Sequence, residues 1–287
     1  MLNLLLPLAL LQAAPATPPA PPKPSDALPG DWMTIPDDEI MVIALADGRR
    51  VTVRLASRFV PAHRANIAAL IAARWWDGES IYRVQENWVA QWGDASEKKP
   101  MPAGVGPSTA PEFEIAATTP MAARMSRADA YSTASGFTAD GWPIATDGKA
   151  TWLTHCYGSV GVARDSAPDS GSGSELFTPI GQSARRLDRN YAVVGRIIDG
   201  MSAMSSLPRS DAPMGVYATP AERTKIVSVR LASELPAAER PHYQYRRTDN
   251  PRFAAYIASR ERPDAPTVAI GATVCDLATG VRKAVVE

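Results

Sequence analysis

The stretch Gly78–Asp94, GESIYRVQENWVAQWGD, contains the arrangement in this sequence that packing alone explains least well. Arg83 lies in an alternating run, and five residues later a second run, Trp88 to Trp92, carries two indoles and an amide before Gly93 and Asp94. Runs of β-branched and aromatic residues predict two short strands, which would present one cation beside apolar surface. From the pattern alone, a functional arginine and an ordinary surface arginine on an edge strand both remain open.

This stretch resembles the signature of the cyclophilin prolyl isomerases, F-H-R-V-I-x-x-F-M-x-Q-G-G-D. The residues in register with it are Arg83, Val84, Gln91, Gly93 and Asp94. Trp88 and Val89 stand where the family has Phe and Met. Tyr82 and Trp92 replace its His and Gly.

Two further blocks resemble the same family, in the same order along the chain. Gly173–Phe177, GSELF, is similar to G-S-Q-F-F, and the segment from Leu187 to Met201 is similar to L-D-x-x-x-V-F-G-x-V-x-x-G-M. The resemblance covers roughly residues 39–234. It implies a mainly β fold: a closed, antiparallel cyclophilin-like β-barrel with two principal helices, to which this chain adds an inserted lobe and a C-terminal α/β appendage.

The chain divides into four predicted parts. Residues 1–16, MLNLLLPLALLQAAPA, form an apolar run ending in small residues, which is typical of a secretory signal peptide. Residues 17–38 are rich in proline and predict an extended linker outside the fold. The cyclophilin-like domain follows over 39–234, with an insertion at about 95–156, and the appendage occupies 235–287.

Composition limits the classes of partner. The chain has 287 residues, 45% hydrophobic and 21% charged, which is ordinary for a globular protein. Its 30 basic and 30 acidic residues cancel, so no excess of positive charge favours nucleic acid, and we exclude it as the main partner. The signal-like start predicts a periplasmic or secreted protein with no membrane association in its mature form. The sequence leaves the oligomeric state open.

Local patterns predict the elements around the signature. Glu39–Ala46 and Arg49–Ala56 are strand-like and are joined by Asp47-Gly48, which favours a two-residue hairpin turn. A helix is expected to begin at Pro61 and to leave His63 solvated in its first turn.

Further along the chain, we expect a short helix over Pro120–Ala130 and an inserted lobe that covers one side of the binding groove. In the appendage, Asn250-Pro251 indicates a helix start and Val268–Cys275 a possible strand.

Other kinds of site lack their motifs. The Ser/Gly-rich loop Asp165–Ser174 has no following Gly-Lys-Ser/Thr, so a phosphate site is not expected there. A Ser-His-Asp hydrolase using Ser159 or Ser174 with His155 would need G-x-S-x-G, which is absent. Three histidines and two distant cysteines show no metal-ligand spacing, so no metal and no cofactor are predicted.

The resemblance implies a peptidyl-prolyl isomerase acting on proline-containing polypeptides. Rotating an X-Pro bond needs no nucleophile, because amide resonance is what resists it. The resemblance makes Arg83 the catalytic residue. The residues that it implies for substrate binding are Trp88, Val89, Gln91, Ala163, Arg164, Glu175, Phe177, Leu187 and Tyr191.

Two of these positions carry a charged side chain where the family has an amide. Glu175 stands where the family has Gln, and Arg164 where it commonly has Asn. A carboxylate near Arg83 would either compete with substrate for it or hold it in position. If Glu175 competes with substrate for Arg83, Glu175→Gln is expected to raise activity or leave it unchanged. A cyclophilin-fold module that binds peptides as a chaperone, without useful catalysis, is the alternative function.

Cys156 and Cys275 are the only cysteines. Because the signal-like start places the chain where disulfides persist, we predict that they form a bond tying the appendage to the barrel. Two unrelated buried thiols are the alternative.

Overall fold

The computed structural model describes residues 26–182, 184–262, 271–277 and 279–284. The strands of this described part are, in chain order, β1 (Trp32–Thr34), β2 (Ile40–Leu45), β3 (Arg50–Leu55), β4 (Ser80–Val84), β5 (Val89–Gly93), β6 (Ala123–Arg124), β7 (Ala134–Phe137), β8 (Pro143–Thr146), β9 (Thr151–Leu153), β10 (Ser159–Val162), β11 (Leu176–Pro179), β12 (Val193–Asp199), β13 (Thr224–Leu231), β14 (Tyr243–Arg246) and β15 (Val281–Lys283). The α-helices are α1 (Pro61–Ala72), α2 (Met201–Ser205) and α3 (Pro251–Glu261).

Eight antiparallel strands close into a barrel in the order β10-β11-β5-β4-β13-β2-β3-β12, which confirms the predicted fold class. The β2–β3 hairpin turns at Gly48, whose φ of +87° suits glycine. Apolar side chains such as Ile43, Val51 and Val53 are fully buried inside. Helix α1 buries Ile67, Leu70 and Ile71 in the same core.

His63 corrects one expectation. It is fully buried, and its Nδ1 lies 2.7 Å from Glu112 Oε2. The backbone N–H groups of Ala62 and His63 also donate to the Glu112 carboxylate. His63 is therefore covered by the beginning of the insertion, a contact between residues 49 positions apart that helical periodicity does not show.

The insertion forms a four-stranded sheet, β6-β7-β8-β9. The predicted helix over Pro120–Ala130 is wrong: the backbone there pairs with β7, with Ala122 N donating to Phe137 O and Met125 N to Ser135 O. A helix this short is only marginally stable by itself, whereas pairing with β7 gives these backbone groups hydrogen-bond partners within a sheet.

The N-terminal and C-terminal segments meet in a three-stranded sheet, β1-β14-β15. Part of the predicted linker is therefore folded: Trp32–Thr34 pairs with residues 244–246 of β14. Asp31 is buried, and Arg252 Nε donates to its Oδ2 at 2.6 Å. This hydrogen bond to Arg252 lowers the pKa of Asp31 to about 2. Residues 1–16 lie outside the described part of the chain.

Helix α3 completes the appendage. Asn250 caps it by accepting from Phe253 N, and Phe253 and Ile257 pack with Phe137 of the inserted sheet. Much of the strand expected over Val268–Cys275 lies outside the described residues, and Val274–Asp276 is a 3-10 turn.

Cys156 and Cys275 form the predicted disulfide. Among the described residues, no helix has both the length and the apolar character needed to cross a membrane.

Candidate functional site

A β-bulge in β4 brings the consecutive side chains of Tyr82 and Arg83 to the same neighbour, Gln91. Strands β4 and β5 pair Ile81 with Trp92 and Arg83 with Gln91, so Tyr82 is an extra residue on β4. In a regular strand neighbouring side chains face opposite sides, whereas a bulge re-aims one of them. As a result, both Tyr82 and Arg83 hydrogen-bond to the Gln91 side chain.

Three acceptors fix the Arg83 guanidinium. Its Nη1 donates to Gln91 Oε1 at 3.1 Å and its Nη2 to Gln85 Oε1 at 2.7 Å. Its Nε donates to the Met214 carbonyl at 2.7 Å. All three acceptors are neutral, and within the described chain Arg83 forms no ion pair. Burial lowers the pKa of Arg83 from its ordinary value. The site thus contains a half-buried arginine that is held in place with its charge unneutralised.

An apolar cavity of about 240 Å³ lies beside this guanidinium. Val89, Phe177 and Leu187 form its buried wall. Tyr191 meets the Phe177 ring edge-on, with ring centroids 5.4 Å apart. The full lining is Arg83, Trp88, Val89, Gln91, Ala163, Arg164, Phe177, Leu187, Tyr191 and Met214.

The structure therefore brings together all of the site residues implied by the resemblance except Glu175. Glu175 lines an adjoining cavity, which shares Gln91, Ala163 and Arg164 with the first. The beginning of the insertion also borders this second cavity, through Glu97, Lys99, Met101 and Pro107. No residue of the inserted sheet is among those that line the Arg83 cavity.

Glu175 does not contact Arg83 directly. Its Oε2 accepts from the Tyr82 hydroxyl at 2.8 Å, and its Oε1 accepts from Asp94 N at 2.6 Å. The carboxylate packs over Gly93, where a Cβ atom would lie 2.1 Å from Oε1. Glycine is therefore required at position 93 for this arrangement.

Burial raises the pKa of Glu175 to about 7, and the nearby carboxylates of Asp94 and Glu79 add to this rise. The hydrogen bonds from Tyr82 and from Asp94 N oppose it. Burial, followed by the charge of Glu175, raises the pKa of Tyr82, so its hydroxyl stays protonated and donates. Glu175 is consequently a carboxyl group that titrates near neutral pH.

A continuous chain of hydrogen bonds links this carboxylate to Arg83. Gln91 Nε2 donates to the Tyr82 hydroxyl, which donates to Glu175. The same amide accepts from Arg83 through Oε1. Of the two interpretations that the sequence left open for Glu175, direct competition for Arg83 has no contact to support it.

Arg164 lies at the rim of the cavity and is also held. Its Nε donates to Asn190 O at 2.8 Å, and its guanidinium lies 5.1 Å from the centre of the Tyr191 ring. This position supports a wall of the site.

The apolar wall is supported from behind. The His155 ring is buried and stacks on Phe177 with an interplanar angle of 7°. Asp188 accepts from His155 N and from Trp152 Nε1, which holds the turn that carries Leu187.

The candidate nucleophiles Ser159 and Ser174 have hydrogen-bond partners other than His155. Ser159 donates to Cys156 O, and Ser174 accepts from Ser172. Within the described residues no group of three His, Cys, Asp or Glu side chains is placed to hold a metal.

Met214 and Gln85 are site residues that the sequence analysis missed. The segment from Ser210 to Tyr217 runs along β4, with Ser210 N donating to Val84 O and Tyr217 N to Tyr82 O. It delivers the Met214 carbonyl to Arg83, which no side-chain pattern shows. Gln85, two positions after Arg83, would have been detectable from strand alternation.

The sequence of this chain also matches the model of a known protein family. The model of the family described as cyclophilin type peptidyl-prolyl cis-trans isomerase/CLD matches residues 40–231, which is more than half of the chain. The chain belongs to the cyclophilin family. The matched range contains the whole barrel and the Arg83 cavity, and it excludes the β1-β14-β15 sheet and α3.

Solved cyclophilin structures extend the comparison. The cyclophilin AquaCyp293 from Hirschia baltica matches with a TM-score of 0.69 and 24% identity, covering 90% of this chain and 96% of that one. This match shows a shared fold over nearly the whole length of both chains. A cyclophilin type isomerase from Cryptosporidium parvum, crystallised in the presence of dipeptide ala-pro, matches with a TM-score of 0.42 and 16% identity, covering 67% of this chain and 98% of that one. Comparison with curated protein sequences finds no match.

Proposed function

We propose that this cyclophilin is a peptidyl-prolyl cis-trans isomerase in which Arg83 stabilises the twisted X-Pro amide. The observation that carries the proposal is the Arg83 guanidinium itself. Three neutral acceptors fix it beside an apolar cavity, and its charge has no carboxylate partner in the described chain. Family membership supports prolyl isomerase activity in general.

The chemistry requires a donor rather than a nucleophile. Rotation about the peptide bond is opposed by a resonance barrier of about 18–20 kcal/mol. As the amide twists, the lone pair localises on the prolyl nitrogen, and a donor aimed there lowers the barrier. A guanidinium has five N–H groups, and Gln91, Gln85 and Met214 each accept from one of those on Arg83. The two that remain are available to a substrate.

The apolar wall of the cavity suits the pyrrolidine ring of a substrate proline. A pyrrolidine ring has no polar atom to satisfy apart from the amide itself, so Val89, Phe177 and Leu187 suit it. Arginine is preferred to lysine in this setting because it keeps its charge when half-buried. The pKa of Arg83 is lowered by burial, yet guanidinium groups stay protonated in proteins.

We propose further that the substrates are exported polypeptides and that the protein acts in the periplasm or after secretion. The apolar run 1–16 and the Cys156–Cys275 disulfide support this location, since disulfides persist in oxidising compartments. Sequencing the N-terminus of protein recovered from an extracytoplasmic fraction tests it. Recovery of the chain from the cytosol with residues 1–16 still attached would contradict it.

Catalysis is tested with a protease-coupled assay on an X-Pro tetrapeptide. We expect the cis-to-trans rate to rise in proportion to the concentration of the mature protein. A module that only binds peptides would bind the same tetrapeptide saturably and leave the rate at its uncatalysed value. That result would replace this proposal with the chaperone alternative.

A further inference from the structure

A third cavity, of about 260 Å³, lies where the barrel, the inserted sheet and the C-terminal segment meet. We call it the junction cavity. It shares no lining residue with the Arg83 cavity. Its apolar lining is buried and comes from all three parts, including Phe137, Trp142, Leu153, Ile197, Val274 and Leu277.

The lining is mixed: beside its apolar side chains it includes one cation, Arg196, and one carboxylate, Asp276. Arg196, on barrel strand β12, is half-buried and donates from Nη1 to Thr279 Oγ1 and from Nη2 to Thr279 O. It has no further acceptor and no ion-pair partner in the described part of the chain. Burial, followed by the neighbouring charge of Arg54, lowers the pKa of Arg196 to about 10, so Arg196 is still cationic at neutral pH.

The carboxylates of Asp140 and Asp276 have hydrogen-bond or ion-pair partners other than Arg196. Asp140 is paired with Arg54 and Arg58, at 3.4 and 2.5 Å. Asp276 accepts from Thr273 N and Oγ1, at 2.7 and 2.8 Å. A half-buried charge that lacks a counter-charge is costly unless another group supplies one.

We propose that the junction cavity is a binding site for a small monocarboxylate with an apolar body, whose carboxylate pairs with Arg196. The planar guanidinium matches the two oxygens of a carboxylate. A single arginine favours one negative charge over the higher charge of a phosphate ester. The apolar side chains of the cavity would cover the rest of the ligand, and a volume of about 260 Å³ limits that body to roughly one ring with a short chain.

The probe is 3-phenylpropionate, and its matched neutral analogue is 3-phenylpropan-1-ol. Calorimetric titration of the mature protein is expected to show saturable binding of the acid with one site per chain. The alcohol should bind about 10- to 100-fold more weakly, since it lacks the charge-assisted hydrogen bonds. This comparison needs no variant, so it is unaffected by any folding defect.

Variants locate the site. Arg196→Gln is expected to weaken binding of the acid about 10- to 100-fold and to leave binding of the alcohol unchanged. Arg282→Gln is the control, because Arg282 is exposed over Trp32 and does not line the cavity. Circular dichroism verifies that each variant is folded.

Three results would overturn the proposal: no saturable binding of 3-phenylpropionate, equal binding of acid and alcohol, or a folded Arg196→Gln variant that binds the acid as the parent does. The titration measures binding directly, so its outcome does not depend on whether the protein is an isomerase.

Discussion

Tyr82 donates its hydroxyl hydrogen to Glu175 Oε2 across 2.8 Å, and this bond joins a titratable carboxyl group to the arginine site. The connection runs from Tyr82 to the Gln91 amide and from there to Arg83. Because neither Tyr82 nor Glu175 lines the Arg83 cavity, their influence on a substrate there would act through Gln91.

Glu175 is expected to make stability depend on pH. Its pKa rises from 4.5 to about 7 on folding, because burial disfavours the charged form. The folded state therefore keeps a proton that the unfolded state loses. This contribution is fully present below pH 4.5 and is lost as pH rises through about 7.

The matched variant is Glu175→Gln, which removes this titration. The free energy of unfolding of the parent, relative to the variant, should fall by about 1–3 kcal/mol between pH 5 and pH 8. Urea unfolding of both proteins at several pH values measures it. A difference that stays constant across this range would show that Glu175 is already ionised at pH 5.

Tyr82→Phe is expected to weaken the support of Arg83. The Gln91 amide loses an acceptor and Glu175 loses a donor, and one lost hydrogen bond of about 1 kcal/mol corresponds to about 5-fold in kcat/KM. The Tyr82 hydrogen bond lowers the pKa of Glu175, so its removal should move the pH transition described above to higher pH.

The control for this variant is Tyr157→Phe, since Tyr157 is 55% exposed and lines neither the Arg83 cavity nor the one beside it. If Tyr82→Phe matches the parent in both kcat/KM and pH transition, the hydrogen-bond chain has no functional role.

The disulfide should contribute substantially to stability. Cys156 and Cys275 are separated by 119 residues, for which loss of chain entropy in the unfolded state gives up to about 4–5 kcal/mol. Cys156→Ser/Cys275→Ser is expected to lower the free energy of unfolding by up to this amount and to abolish the sensitivity of the parent to reductant. Thiol titration of denatured protein checks the bond: two free thiols before reduction, in protein from an oxidising compartment, would contradict it.

The sequence predicted the barrel and most of the Arg83 cavity because three ordered blocks share the register of a known family. It did not predict the bulge at Tyr82, which depends on how β4 pairs with β5. Nor did it predict the Met214 carbonyl as an acceptor, since backbone groups carry no residue pattern. The placement of Glu112 over His63 and of Trp32–Thr34 beside β14 rests on contacts between distant segments, which local propensity does not contain.

In the proposed mechanism a fixed, unneutralised Arg83 provides the catalysis, and Arg83→Ala tests this role most directly. Loss of one preorganised donor typically lowers a rate by about 10²–10³. We expect kcat/KM in the protease-coupled assay to fall by that factor while the circular dichroism spectrum and the unfolding midpoint stay close to those of the parent. Arg247→Ala, at an exposed arginine that pairs with Asp249, should keep the parental rate. A folded Arg83→Ala protein with near-parental kcat/KM would contradict the account.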